Sequence, residues 1–194
     1  MPDVFRTLRA RLDATPARQA DGAGRSWASV AVILAPDPLS ILLILRSERG
    51  GDPWSGHVAL PGGRRSAEDR DLVATAIRET GEEVGVLLAR DQLLGVLDDV
   101  APSTAVLPAV TVRPCVFGLS DRPIPGRSEE VADACWEPVA SLLAPEARGE
   151  YSLTRNGTTL HFPAYHTSLG TLWGMTQRIL DSILPTLAQI ATKS

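Results

Sequence analysis

The chain of 194 residues has two cysteines, Cys115 and Cys135. That is too few for a disulfide framework or a thiolate zinc site, and it fits a reducing compartment. It also lacks an excess of positive charge: 19 Lys and Arg stand against 23 Asp and Glu, a net of -4. A broad basic footprint for nucleic acid or an anionic membrane is therefore not expected. A small phosphorylated ligand remains compatible, because a few arginines or a bound cation can oppose the global sign locally. No apolar run approaches the roughly 18 residues of a membrane-spanning helix, and the opening MPDVFRTLRA has no apolar leader core. A cytoplasmic location is the expectation. There is no internal repeat. What the chain does have is 44% hydrophobic residues and enough length to remove about 70% of its extended surface from water, so disorder is excluded for most of it.

Sixteen glycines and fifteen prolines announce many turns. Residues 3–15 have the pattern of a short amphipathic helix through Val4, Phe5, Leu8 and Leu12, and a polar linker follows. We expect residues 1–25 to form an arm that packs on the domain or mediates dimerisation, with residues 26–194 as the domain itself. Trp27–Ala35 and Ser40–Leu45 read as paired strands, and GGDPWSGHVALPGGRR then interrupts regular structure. From Leu72 to Val84 the period shifts to that of a helix with Val73, Ile77, Thr80 and Val84 on one side. Asp69 or Asp71 is placed to start it and Gly85 to stop it. Leu87–Leu97 and Val106–Leu119 read as strands, the second kept to an edge or a bulge by Pro108 and Pro114. Val131–Leu143 reads as strand then helix start, and residues 151–162 as a hairpin around Asn156-Gly157. A last helix begins near Thr176 and is kinked or ended by Pro185. The tryptophans Trp27, Trp136 and Trp173 lie beside aliphatic runs and are expected in the core, and Cys115 is expected to be an inert buried thiol.

The chemistry concentrates in Arg78-Glu79-Thr80-Gly81-Glu82-Glu83-Val84-Gly85. On a helix wheel Glu79, Glu82 and Glu83 fall at about 0°, -60° and +40°, with the apolar set at about 100–160°. Three acids that close repel one another, and a hard divalent cation with oxygen ligands relieves the repulsion. The preceding Pro61-Gly62-Gly63 lets backbone approach a metal or a phosphate. Together they describe a site for a metal-bridged diphosphate. The alternative is a solvated acidic helix face with Arg78 as its ion-pair partner.

The stretch Gly63–Val86 resembles the Nudix hydrolase box: a glycine, an acid, then REUxEExGU, where U is a bulky aliphatic. Thr80 stands at the first aliphatic position, and Asp69 lies nine residues before Arg78, one more than the general box has. A similar extended box occurs in the coenzyme A pyrophosphatase branch of that superfamily. Its upstream strand and loop resemble Leu42-Leu43-Ile44-Leu45-Arg46-Ser47 and Gly56-His57-Val58-Ala59-Leu60-Pro61-Gly62-Gly63. Its closing segment resembles Phe162-Pro163-Ala164-Tyr165 with Leu172-Trp173-Gly174-Met175-Thr176. Ile44, Leu60 and Asp52 depart from the residues usual there.

The resemblance implies an α/β fold of the Nudix type, an α/β/α sandwich with a mixed β-sheet. It implies Mg²⁺ or Mn²⁺ on Glu79, Glu82, Glu83 and the Gly62 carbonyl, with Arg78 orienting the glutamates. A helix glutamate or Glu130 on the late Glu129-Glu130-Val131 loop would take the proton from water. Arg46, Arg64, Arg65 and His57 are candidates for phosphate contacts, and Trp54, Phe162 and Tyr165 for stacking on a base. The expected reaction is hydrolysis of coenzyme A or an acyl or oxidised derivative to 3',5'-ADP and a 4'-phosphopantetheine product. ADP-ribose or another nucleoside diphosphate derivative is the alternative substrate, and a non-catalytic nucleotide-binding regulator the alternative class. A homodimer is compatible with the family.

Overall fold

Alternation along the first two strands decides the layering. In Ser26–Ala35 (β1), Val32 and Leu34 point to one side of the sheet and Ala31 and Ile33 to the other; in Ser40–Arg46 (β2), Ile41 and Leu43 oppose Leu42 and Ile44. All eight are 0% exposed, so these strands are buried on both faces and must be covered by helices on both. The protein, seen as a computed structural model, describes residues 1–20, 26–50, 55–102, 109–155 and 157–191.

The covering helices come from opposite ends of the chain. Asp3–Ala14 (α1) sends Phe5 and Leu8 into the layer holding Val32, Leu34 and Leu43. Burying each of those side chains contributes about 1.5–3 kcal/mol. Val139–Leu143 (α3) and Gly174–Ala191 (α4) complete that layer. Leu72–Val84 (α2) covers the other face against Ile33, Leu42 and Phe117. The expected α/β/α sandwich with a mixed sheet is what forms. No helix among the described residues is long and apolar enough to cross a membrane.

Val58–Ala59 (β3), Gly62–Arg64 (β4), Leu93–Val96 (β5), Val110–Gly118 (β6) and Val131–Pro138 (β7) join β1 and β2 in one sheet. β6 runs parallel along β1 from Ser26 to Leu34, so it occupies one whole edge of that strand. β7 likewise follows β2 from Ser40 to Arg46. The facing edges of β1 and β2 meet only at Leu34–Ile41 and Ala35–Ser40. Beyond that hairpin the two strands part, and the intervening chain fills the gap: β3 pairs with β2 at Ile44 and Leu45, β4 with β1 at Ala28–Val30. Arg148–Arg155 (β8), Thr158–Thr167 (β9) and Gly170–Trp173 (β10) form a second, antiparallel sheet.

Several expectations change. β6 is an interior strand, between β1 and β5, although it contains Pro114. Pro114 has no amide to give, but its carbonyl still accepts from the Leu97 amide at 3.0 Å, and the register shift falls instead at Leu93–Gly95 on the neighbouring strand. Pro108 and Asn156 lie outside the described residues. The strand expected from Leu87 begins only at Leu93, because Arg90–Gln92 turns as a short 3-10 segment from which Arg90 reaches Asp71 at 2.6 Å. α4 continues through Pro185 to Ala191, held by Ile183, Leu184, Leu187 and Ile190 in the core. The three tryptophans are only half-buried: Trp136 packs against the α2-side core while donating its indole N–H to the Pro123 carbonyl at 2.9 Å, whereas Trp27 lies under Arg113 and Trp173 lines a cavity.

Candidate active site

α2 positions most of the site. Asp71 caps it, accepting the Ala74 amide at 2.9 Å, and Gly85 ends it at φ 67, a conformation that costs a glycine little. The face turned to the sheet carries Leu72, Thr75, Ala76, Thr80 and Val84, with Val73 and Ile77 only at its margin. Small side chains at Ala76 and Thr80 bring the helix close to the sheet, and Thr80 satisfies its hydroxyl on the Ala76 carbonyl at 2.7 Å. This close approach also buries Glu83, 3% exposed, which lies beside the apolar face rather than on a solvated edge.

The segment wedged between β1 and β2 meets those glutamates. The Gly62 amide donates to Glu83 Oε2 at 2.8 Å. Gly62 has φ 150, and a Cβ there would overlap the Ser29 carbonyl and Val30. At Gly63 a Cβ would overlap the carboxylate of Glu79. Burial pushes the Glu83 carboxyl up to about 7, with Glu79 and Glu130 adding to the shift while the Gly62 amide and the charge of Arg46 oppose it. Glu79 is also raised, chiefly by burial, against the opposing charge of Arg78.

Arg78 organises the remainder. Its Nε and Nη2 donate to the two carboxylate oxygens of Asp69 at 3.0 and 2.9 Å, Nη1 donates to Glu82 at 2.9 Å, and Nη2 also lies 2.9 Å from Glu79 and 3.2 Å from the Arg64 carbonyl. Asp69 further accepts from the Ser66 amide and the Thr75 hydroxyl. The Arg78 guanidinium holds the Asp69 carboxyl well below the usual carboxylate range. The extra residue in the box thus belongs to a loop that delivers Asp69 to Arg78, a role its spacing alone did not disclose.

Glu79, Glu82, Glu83, Glu130, Arg46, His57, Gly62 and Arg64 all line one cavity of about 1010 Å³. Glu130 reaches it from the loop before β7 and takes Arg49 Nη1 at 3.1 Å. Ser128 and Glu129 from the same loop, and Trp173 from β10, join the lining without having been singled out for it. Trp173 stacks on Tyr151 at 4.2 Å between centroids and meets His57 edge-on at 5.1 Å. Phe162 touches this cluster at 5.2 Å from Trp173.

Two candidates are placed elsewhere. Tyr165 is 0% exposed, its hydroxyl donating to Asp181 at 2.6 Å and its ring covered by the Arg148 guanidinium, so it is a core residue and does not face the cavity. Alternation along β9 puts its side chain inward, which sequence pattern in a short motif does not reveal. Arg65 spends its guanidinium on the Asp69 and Arg70 carbonyls. Trp54 lies outside the described residues. Among the described residues no three His, Cys, Asp or Glu side chains converge on one point as they stand; Glu82 is drawn aside by Arg78, and Glu79 and Glu83 have separate contacts. The donor chemistry nevertheless fits a hard cation: Glu79 and Glu83 are carboxylates seated on a glycine cradle that any Cβ would fill.

The NUDIX domain model matches residues 25–156. The chain is 33% identical over 154 residues to the human mitochondrial coenzyme A diphosphatase NUDT8, which covers 77% of this chain and 63% of that protein. To an uncharacterized protein of Schizosaccharomyces pombe it is 42% identical over 113 residues, 56% of this chain and 34% of that one. The uncharacterized Nudix hydrolase NudL of Photorhabdus laumondii matches at 26% over 185 residues, 94% and 95% of the two chains. The chain therefore spans about a third of the yeast relative's length and just under two thirds of the human one's. Among solved structures, a MutT/nudix family protein from Enterococcus faecalis shares the fold at a TM-score of 0.56 and 16% identity, covering 93% of this chain and 72% of that one. Since the matched domain takes in more than half of the sequence, including the whole glutamate helix and the loop before β7, the chain belongs to the Nudix family.

Proposed function

We propose that this Nudix protein hydrolyses the diphosphate linkage of coenzyme A, or of an acyl or oxidised derivative, giving 3',5'-ADP and the corresponding 4'-phosphopantetheine. Diphosphate hydrolysis rests on one observation: Glu83, buried on the Gly62 amide, and Glu79, seated over Gly63, open into the same cavity as Arg46 and Arg64. The coenzyme A assignment is supported by the similarity to a relative named as a coenzyme A diphosphatase and by the extended form of the box.

In this reading Glu79, Glu83 and the Gly62 carbonyl would hold Mg²⁺ or Mn²⁺, with Glu82 joining once it leaves Arg78. When bound, such a cation lowers the pKa of water and screens charge on the phosphoryl oxygens. Arg78, fixed by Asp69, keeps Glu79 oriented, since ligands work only when their direction is held. A helix glutamate, or Glu130 from the loop before β7, takes the proton from the attacking water. Arg46 and Arg64 offer N–H donors to the outer phosphate oxygens, and His57 borders them.

Purified protein assayed by LC-MS against coenzyme A, ADP-ribose, NADH and dinucleoside polyphosphates, with Mg²⁺ or Mn²⁺, tests this. Selective formation of 3',5'-ADP from coenzyme A, reduced at least about 100-fold in Glu83→Gln, is the expected result. Preferential cleavage of another panel member rejects the coenzyme A assignment. Nucleotide binding with no product from any of them points to a non-catalytic binding protein.

A further inference from the structure

Among the described residues, the sheet edges of this protein are short, broken or covered, with one exception. β3 has two residues and β10 four. β5 carries a register shift at Leu93–Gly95 and packs against α1, whose Arg9 donates to the Leu93 carbonyl. β7 has a shift opposite Leu45–Arg46 and ends in Pro138. Each of these is a usual device against strand pairing between molecules. β8 has none of them. Its eight residues pair one for one with β9, without proline or bulge, and its other edge has no strand beside it among the described residues. Arg148 and Glu150 are already engaged within the chain, on Asp181 at 2.9 Å and on His161 at 2.6 Å. Alternation gives the β8–β9 hairpin one polar face, where Ser152 also meets His161 and Thr154 meets Thr159. The other face is apolar, with Tyr151 beside Phe162 and Leu153 beside Leu160, and Leu160 is 49% exposed.

We infer that this edge takes a second copy of the chain, whose β8 runs antiparallel to the first about a two-fold axis at Ser152 and joins the two three-stranded sheets into one. Residues of one parity along an edge strand turn their N–H and C=O outward, so a self-pairing must join residues whose numbers have an even sum. The same condition keeps apolar side chains opposite apolar ones. Centred on Ser152, Tyr151 lies opposite the second copy's Leu153, and Glu150 opposite its Thr154, each pair occurring twice, so no like charges meet. The apolar stripe then runs unbroken from Phe162 and Tyr151 to the second copy's Leu153 and Leu160. Centred instead on Tyr151, Leu153 would land on Gly149, where the His166 imidazole already fills the place of a side chain. An unrelated strand carries no such built-in match. The axis is perpendicular to the sheet, so both Trp173 rings, and with them both cavities, lie on the same side of it. None of this depends on what the cavity hydrolyses.

Sedimentation velocity of the full chain across the micromolar range tests this. Native protein should move from the monomer mass toward twice that mass as concentration rises. Thr154→Glu sets a carboxylate opposite Glu150 at two places and should weaken the dimer at least about 10-fold, whereas Thr154→Lys sets an ammonium there and should not weaken it. Thr154 is exposed, so both variants should melt with the native protein. Register is read by oxidation. Two Ser152→Cys chains meet at the axis within disulfide reach and should cross-link. Thr159→Cys keeps the same native cysteines but lies one strand further out on each side, about 14 Å from its equivalent, and should not. A chain that stays monomeric throughout, a dimer that both Thr154 variants leave unchanged, or equal cross-linking by the two cysteine variants overturns the inference.

Discussion

Gly63 lies directly beneath the carboxylate of Glu79, so close that a β-carbon at residue 63 would occupy the space of the carboxylate carbon and both its oxygens. The obstacle is the far end of a flexible side chain, not backbone, and residue 63 has no positive φ. Gly63→Ala should therefore fold with a melting temperature close to that of the native protein while Glu79 swings away. Turnover should fall on the order of 100-fold, the usual cost of an ångström of misplacement. Paired thermal melts and initial rates check this; a native rate in the variant would contradict the placement of Glu79 in the site.

Asp69 acts through Arg78, and its removal should show in both stability and turnover. Asp69→Asn breaks an ion pair whose acid side is 5% exposed, a change on the order of 3 kcal/mol. Because the folded-state pKa lies below the unfolded value near 3.8, this stabilisation is fully present above about pH 5 and is lost as pH falls through the acid range. The gap in denaturation midpoint between native protein and variant should accordingly shrink from pH 6 to pH 3. In turnover, kcat should drop 10- to 100-fold with KM little changed, the pattern of a mis-oriented ligand.

Cys115 should be almost inert to thiol reagents. Burial pushes its thiol up to about 11 from 9.0, which leaves about 100-fold less thiolate at pH 8 than an ordinary cysteine has, apart from the steric barrier. Mass spectrometry after brief iodoacetamide treatment should find Cys115 unmodified in native protein and fully alkylated in urea.

Tyr165→Phe separates packing from binding. Loss of the hydroxyl leaves Asp181 with Arg148 and Gln177, so the change should cost about 1 kcal/mol and lower the melting temperature by a few degrees. Since the ring faces the core, KM should not move; a several-fold rise would return Tyr165 to the binding surface.

Local pattern was enough for the parts of this protein that depend on neighbours in sequence. The helix from Leu72 to Val84 follows from its period, the Asp71 cap and the Gly85 stop, and the β1–β2 hairpin from strand-forming residues broken by a short turn. The spacing of Glu79, Glu82 and Glu83 and the glycines before them identified the acidic edge, because i and i+4 neighbours share a face whatever surrounds the helix.

Everything that depends on long-range packing had to wait for the tertiary structure. Only the parting of β1 from β2 puts Gly62 against Glu83 and Gly63 against Glu79. Only the close approach of α2 to the sheet buries Glu83, a residue that the helical wheel leaves at a polar edge. The same holds for Tyr165, turned inward, and for Trp173, brought to the cavity by a second sheet. Which side chains share a helix face is set by covalent geometry. Which of them lose water, and which partner they meet, is set by the free energy of packing distant strands and helices together.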